Sequence, residues 1–351
     1  MSEPALRRPA EWSPQKETIL AWPGLEGSLK DHPERLARIT SEISTIARAT
    51  AHFQPVTLAV GQERYEEAEI EFDEVTTPFP IKLHKVQGTT LDSRVRDFGP
   101  TFVAKGSSGL VGVDWNFNGW GHKEATPTST SFAKTLLRDL LIERLQASIV
   151  AEGGALETDG EGTLLVTESS LLNENRNGGR SRQDIEGELM RTLGVEKIIW
   201  IPGRRGIDVS DCHIDALARF ARPGVVLLSK ANEVKPTDWT VVYEEALEIL
   251  SSATDAKGRP FELIEVEEPD EDLFETNSDD VFPVRSYVNY LLVNEGVILP
   301  QFGDPAHDAA AIRVAQSVFG EERRIYPVLI EQLPRLGAGI HSSGQEIPLS
   351  G

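Results

Sequence analysis

One pattern constrains the fold of this 351-residue chain more than any other. An apolar run, a polar loop, a helix-spaced segment and a second apolar run recur five times. The leading runs are Thr18–Trp22, Gly109–Val113, Gly162–Val166, Gly224–Leu228 and Gly296–Leu299. Each is short, apolar and near a turn residue, as a buried strand should be. The segments that follow place apolar residues on one helical face: Pro33–Ala49, Ser131–Gln146, Arg182–Leu193, Thr240–Leu250 and Asp308–Val318. In the first of them Leu36, Ile39, Ile43 and Ile46 share a face, and Pro33 stands where a helix starts. Closing strands are predicted at Val56–Val60, Ser148–Val150, Lys197–Ile201, Phe261–Val266 and Ile325–Ile330, with a further strand at Ile81–Val86.

A single strand–helix–strand unit leaves an apolar face uncovered, so the five should pack around a shared centre. A five-fold α/β arrangement explains the repeat better than the alternative, a doubly wound sheet. No Ser-rich linker, low-complexity tail or composition break divides the chain, so residues 1–351 are read as one domain. Two acidic stretches, Glu63–Glu74 and Glu265–Asp280, fall between units and read as solvated connections.

Composition narrows the function. With 35 Lys plus Arg against 56 Asp plus Glu, the formal charge is −21. Such a balance disfavours nucleic acid and anionic membrane as partners and suits a cationic small molecule, although solubility alone also explains it. The one cysteine, Cys212, excludes an intrachain disulfide framework and any multi-cysteine metal site. No segment has the roughly 20 apolar residues a membrane helix needs. A soluble, cytoplasmic protein is the expectation.

Polar residues beside the strands are the candidates for chemistry. Asp211-Cys212-His213-Ile214-Asp215 places a histidine and a carboxylate two apart; in an extended segment both face one side, with the Cys212 thiol on the other. His-x-Asp alone is equally a structural pair, and the seven histidines offer no ligand-spaced partner for a metal. Glu152-Gly153-Gly154 sets a carboxylate beside glycines that permit close backbone approach. No G-x-S-x-G elbow supports a serine hydrolase.

Taken together, the motifs resemble the agmatine deiminase and bacterial-type peptidylarginine deiminase family of guanidino-group-modifying enzymes. The matching runs are Ala21-Trp22-Pro23, Arg96-Asp97-x-Gly99-Pro100-Thr101-Phe102, Asp114-Trp115-x-Phe117-Asn118-x-Trp120-Gly121 and Glu152-Gly153-Gly154. They continue through Gly160–Leu164, Leu172–Asn177, His213-x-Asp215, Phe220–Gly224, Ser286–Asn289, Phe302–Pro305 and Ile340-His341. The resemblance implies a five-bladed α/β propeller, no cofactor and no metal, a small cationic guanidino substrate, and a homodimer or higher assembly. It also implies roles: Asp97 and Asp215 as guanidinium clamps, His213 as the acid–base group and Glu152 as the carboxylate that orients it. Trp22 and Trp120 would line the substrate pocket. Carboxylates are the natural partners of a forked, planar cation, which makes these assignments chemically coherent.

Two positions depart from the family pattern. A nucleophilic cysteine follows Ile-His in the family, and this chain has Ser342 there, a weaker and harder-to-ionise nucleophile. Three accounts of Ser342 stand open: a replacement made to trap substrate, a natural loss leaving a guanidinium-binding protein, or a working oxygen nucleophile. Where agmatine deiminases carry Trp three residues before the clamp Asp97, this chain has Arg94. Arg94 either points to solvent or pairs with a surface acid, or it faces the pocket to bind a substrate carboxylate, which would favour a guanidino acid or arginine derivative over agmatine. Amidino transfer is a further reading, sharing the fold and the covalent logic.

Overall fold

The structure is a computed structural model that describes residues 5–25, 29–107, 109–124, 126–231, 235–270, 272 and 283–349. Each predicted repeat forms a unit in which the leading and closing strands pair in parallel. The pairs are Gln15–Trp22 with Val56–Val60, Gly109–Asp114 with Glu143–Gln146, and Thr163–Thr167 with Lys197–Ile201. Val225–Lys230 pairs with Glu262–Glu267, and Gly296–Gln301 with Arg324–Leu329. Parallel pairing needs a crossover, and the helices Pro33–Thr50, Pro127–Asp139, Arg182–Leu193, Asp238–Ser252 and Pro305–Phe319 supply it. The face foreseen for the first helix, Leu36, Ile39, Ile43 and Ile46, is buried against Leu20 and Leu58.

Each leading strand also gains a third, antiparallel neighbour on its other edge. These are Thr101–Lys105, Glu157–Thr158, Ala218–Arg222 and Leu291–Val293 in the later units, each lying just before its leading strand in sequence. In the first unit that place is taken by Gly344–Pro348, from the other end of the chain. The result is five sheets of three or four strands, with Ile81–Lys85 and Leu6–Arg7 as the extra members. Helices bridge neighbours: Pro33–Thr50 touches Arg324–Leu329 of the fifth unit, Pro305–Phe319 touches the fourth, and Asp238–Ser252 touches the third. Arg182–Leu193 reaches Leu6–Arg7 on the second sheet, and Gly344–Pro348 packs on Thr101–Lys105 between first and second.

Three expectations need correction. The second helix starts at Pro127 and ends at Asp139, because Thr126 and Ser129 form a capping box at its start. Leu141, at φ 56°, then turns the chain, so the closing strand is Glu143–Gln146 and Ser148–Val150 is not a strand. Glu63–Glu74 holds a helix, Tyr65–Phe72, and is more than a connection. Of Glu265–Asp280, the first residues finish the strand Glu262–Glu267, and most of the remainder lies outside the described residues. Among the described residues no helix is long and apolar enough to cross a membrane.

Candidate active site

The polar residues singled out above fall at one recurring position: the turn immediately before the antiparallel strand of a unit. Asp97 lies in the turn Val95–Phe98 ahead of Thr101–Lys105, and Glu152 precedes the turn Gly153–Ala155 ahead of Glu157–Thr158. His213 caps the 3-10 turn Ile214–Ala216, which carries Asp215, ahead of Ala218–Arg222. Asn289 holds the same place before Leu291–Val293, and Ser342 before Gly344–Pro348. His213 and Asp215 therefore sit on a turn rather than in the extended segment expected, yet they still converge.

The convergence is direct. Trp120 Nε1 donates to Asp97 Oδ2 at 2.9 Å, and the backbone N–H of Gly154 donates to Asp97 Oδ1 at 3.0 Å. His213 stands between two carboxylates, with Nδ1 3.6 Å from Asp97 Oδ1 and Nε2 3.3 Å from Glu152 Oε2. Glu152 is held from behind by Arg176 Nε at 2.9 Å, and Arg176 in turn bonds Asp211 and the Ser210 carbonyl. All four acid and base groups, Asp97, Glu152, His213 and Asp215, are buried.

Burial presses the His213 imidazole toward its neutral form, but the Asp97 charge and the contact with Glu152 outweigh it and raise the pKa to about 9. Burial likewise pushes the Glu152 carboxyl up, and Arg176 and His213 more than offset that, leaving it below the usual range. Asp97 is moved up, by burial first and by Glu152 next, against the pull of His213. At neutral pH the cluster thus holds an imidazolium with a proton to give, flanked by acids able to grip a cation.

Gly154 marks the space they surround. A Cβ placed there would lie 2.7 Å from His213 Nδ1, 2.9 Å from Asp97 Oδ1 and 3.0 Å from Asp215 Oδ2. Gly154→Ala should therefore intrude among all three groups and weaken binding of a guanidinium ligand by about tenfold or more. Calorimetric titration with agmatine checks this, with thermal melting as the control for folding.

Ser342 is buried in the last of these turns. Its carbonyl accepts the Arg96 backbone N–H at 3.1 Å, and Arg96 Nε donates to the His341 carbonyl at 2.7 Å. The chain position tied to Ser342 is thus the immediate neighbour of Asp97. Ser342 Oγ takes a long bond of 3.4 Å from the Gly339 N–H, and among the described residues it makes no hydrogen bond to His213 or to a carboxylate.

Three other residues singled out above are placed as follows. Arg94 is only 2% exposed, so it does not point to solvent. Its Nε and Nη2 are engaged by Asp92 at 2.8 and 2.6 Å, Nη2 also reaches Glu124 at 2.6 Å, and the guanidinium lies 3.8 Å from the Trp120 ring centre. Direct capture of a substrate carboxylate by Arg94 is corrected accordingly: its fork is occupied, and it meets the cluster only through Trp120. Trp22 packs in the apolar core, edge-on to Phe72 with Arg64 over its ring, and among the described residues its Nε1 makes no hydrogen bond. Cys212 lies in an apolar cluster with Leu165, Ile201 and Leu228, and burial pushes its thiol far up, which suits an inert core residue.

Sequence reasoning assigned no role to Arg176 or Arg96, although both lie inside runs that carry the resemblance. Their signal was available in retrospect: an arginine amid buried turn residues needs acidic or carbonyl partners, and those partners were already candidates. Among the described residues no group of three or more His, Cys, Asp or Glu is arranged to hold a metal ion.

The fold and cluster define a guanidino-modifying class of protein, and comparison with known proteins gives the family. The model of the Porphyromonas-type peptidyl-arginine deiminases matches residues 7–348, and the chain belongs to that family. A homologue from Streptomyces avermitilis is 37% identical over 362 residues, 99% of this chain and 99% of its own. The agmatine deiminase of Stutzerimonas stutzeri is 34% identical over 97% of this chain and 95% of its own. Among solved structures, the agmatine deiminase of Enterococcus faecalis superposes with a TM-score of 0.88 at 27% identity, over 99% of this chain and 97% of that one.

Proposed function

We propose that this chain binds a guanidino substrate of the agmatine type in the space at Gly154 and is built for its hydrolysis to a ureido product and ammonia. The observation that carries the reading is the meeting of Asp97, Asp215 and His213 around that one glycine. Asp97 and Asp215 would grip the planar cation, and His213, held by Glu152, would supply the proton to the departing nitrogen. The reaction balances simply. Ser342 Oγ adds to the guanidinium carbon as its hydroxyl proton passes to a clamp carboxylate, one C–N bond breaks, and the nitrogen leaves as ammonia with the His213 proton. Water then gives one proton to the now neutral imidazole and adds to the same carbon. The bond to Ser342 Oγ breaks as that oxygen takes back the carboxylate's proton, and the remaining hydroxyl proton leaves with ammonia as ammonium to give the ureido product. With Ser342 as the nucleophile the first step is slow, and the chain is attenuated relative to a cysteine-bearing relative.

The same reading takes the five sheets as blades of an α/β propeller, with the pre-strand turns gathered at its centre. Similarity to agmatine deiminases over nearly the full chain supports agmatine first. Ser342 favours one second reading, a guanidinium-binding protein without turnover. Titration with agmatine and with arginine, followed by assay for ammonia and ureido product, separates them. Agmatine binding with slow product formation supports the hydrolase. Binding with none supports the silent binder, and failure to bind either ligand overturns the site.

A further inference from the structure

Behind Asp215 lies a second buried network that the reaction scheme does not use. His341 Nδ1 is 2.7 Å from Asp215 Oδ2, and its Nε2 is 2.8 Å from Glu11 Oε2. His341 is 1% exposed, and Glu11 is anchored by Arg219 Nη2 at 2.5 Å and the Leu292 backbone N–H at 2.7 Å. Arg219 is fixed in turn by Glu157 at 2.9 Å and by the Tyr290 carbonyl at 2.9 Å. Asn289 completes the frame: its Oδ1 accepts the His341 backbone N–H at 3.1 Å, and its Nδ2 donates to the Asp215 carbonyl at 3.2 Å. Among the described residues Asp215 Oδ1 has no hydrogen-bond partner, while Oδ2 is taken by His341.

We propose that His341, braced by Glu11, is a positioning residue that fixes Asp215 through Oδ2, the oxygen nearest the space at Gly154. The inference rests on Asp215 being a guanidinium clamp. Its logic is geometric. A free aspartate turns about two side-chain bonds, and a clamp must offer its oxygen in one place. The imidazole removes that freedom because both of its nitrogens are tied. Burial, with the charges of Arg219 and Arg96, holds His341 well below the usual histidine range, against the pull of Asp215. The groups facing this trio are Arg219 and Arg96 behind it, and Asp97, His213 and Glu152 across the space at Gly154. None of these other groups hydrogen-bonds Asp215 Oδ2 among the described residues, so His341 alone supplies that donor.

The test is agmatine affinity by calorimetry, with thermal melting alongside. His341→Leu should weaken binding by about tenfold to a hundredfold. His341→Asn, whose amide can donate to Asp215 in place of Nδ1, should recover much of that loss. Glu11→Gln, which keeps an acceptor but not the charge, should give an intermediate loss. A role in folding alone would lower the melting temperature and leave the affinity of the folded variants unchanged. If His341→Leu does not fold, the Asn and Gln variants decide in its place. Affinity within about twofold of the parent in every folded variant overturns the inference and leaves the clamp standing. A parent that binds no agmatine at all overturns the clamp itself, and the inference with it.

Discussion

Ammonia release from agmatine should rise by about two orders of magnitude or more when Ser342 is replaced by cysteine. The change exchanges one atom at a buried turn that the Arg96 backbone and side chain already hold beside Asp97. No repacking is required, and the Gly339 N–H that now meets Oγ is available to a sulfur. What changes is nucleophilicity. A thiol ionises several pKa units below a hydroxyl, and its anion attacks a resonance-stabilised carbon far more readily. His213, protonated at neutral pH, is unaltered and can still deliver the leaving proton. Steady-state ammonia assays on parent and variant decide the matter. Equal, near-zero rates with intact agmatine binding would show that the turn holds residue 342 out of reach of the bound carbon.

Glu152→Gln should be the most damaging single change to the cluster, costing about 3 kcal/mol of stability. Glu152 is fully buried and serves two cations at once, Arg176 at 2.9 Å and His213 at 3.3 Å. Glutamine keeps the shape but leaves Arg176 with Asp211 as its one remaining carboxylate. A signature in pH accompanies the loss. His213 has a folded pKa of about 9 against 6.5 in the unfolded chain, so its stabilisation is complete below pH 6.5 and disappears as pH rises through 9. That contribution is roughly 3 kcal/mol in the parent and should shrink in the variant, where Asp97 and Asp215 remain to support the imidazolium. Urea unfolding at pH 6 and pH 9 measures it. Parallel losses over that range in parent and variant would remove Glu152 from the role of proton-holding partner.

Much of this was legible before the structure, for identifiable reasons. The strand–helix–strand units carry strong periodicity, and Val56–Val60, Arg182–Leu193 and Lys197–Ile201 fall where the pattern puts them. The antiparallel strands were not legible, because Glu157–Thr158 and Leu291–Val293 are too short to show a period. At Ile142, Leu145 and Ile149 the apolar spacing suits a helix and a strand alike, and the turn at Leu141 decides. Asp97, Glu152, His213 and Asp215 were named through the family resemblance, and the structure brings them together. For Arg94 the sequence left pairing with an acid and pocket-facing both open, because it does not single out Asp92 and Glu124 as the two partners that hold its fork. Glu11 gave no signal at all: its importance lies wholly in contacts made across long loops of chain.

That last point bears on when the protein becomes competent during its synthesis. Glu11 and His341 are 330 residues apart, and the strand that follows Ser342 is sewn into the first sheet beside Gln15–Trp22. Four units can collapse on their own local contacts while translation proceeds, but the first sheet waits for its last edge. Asp97, Glu152 and His213 are therefore translated long before Ser342 arrives. The nascent chain holds Asp97, Glu152, His213 and Asp215 well before His341 and Ser342 arrive, and premature termination before His341 leaves Asp215 without its histidine partner.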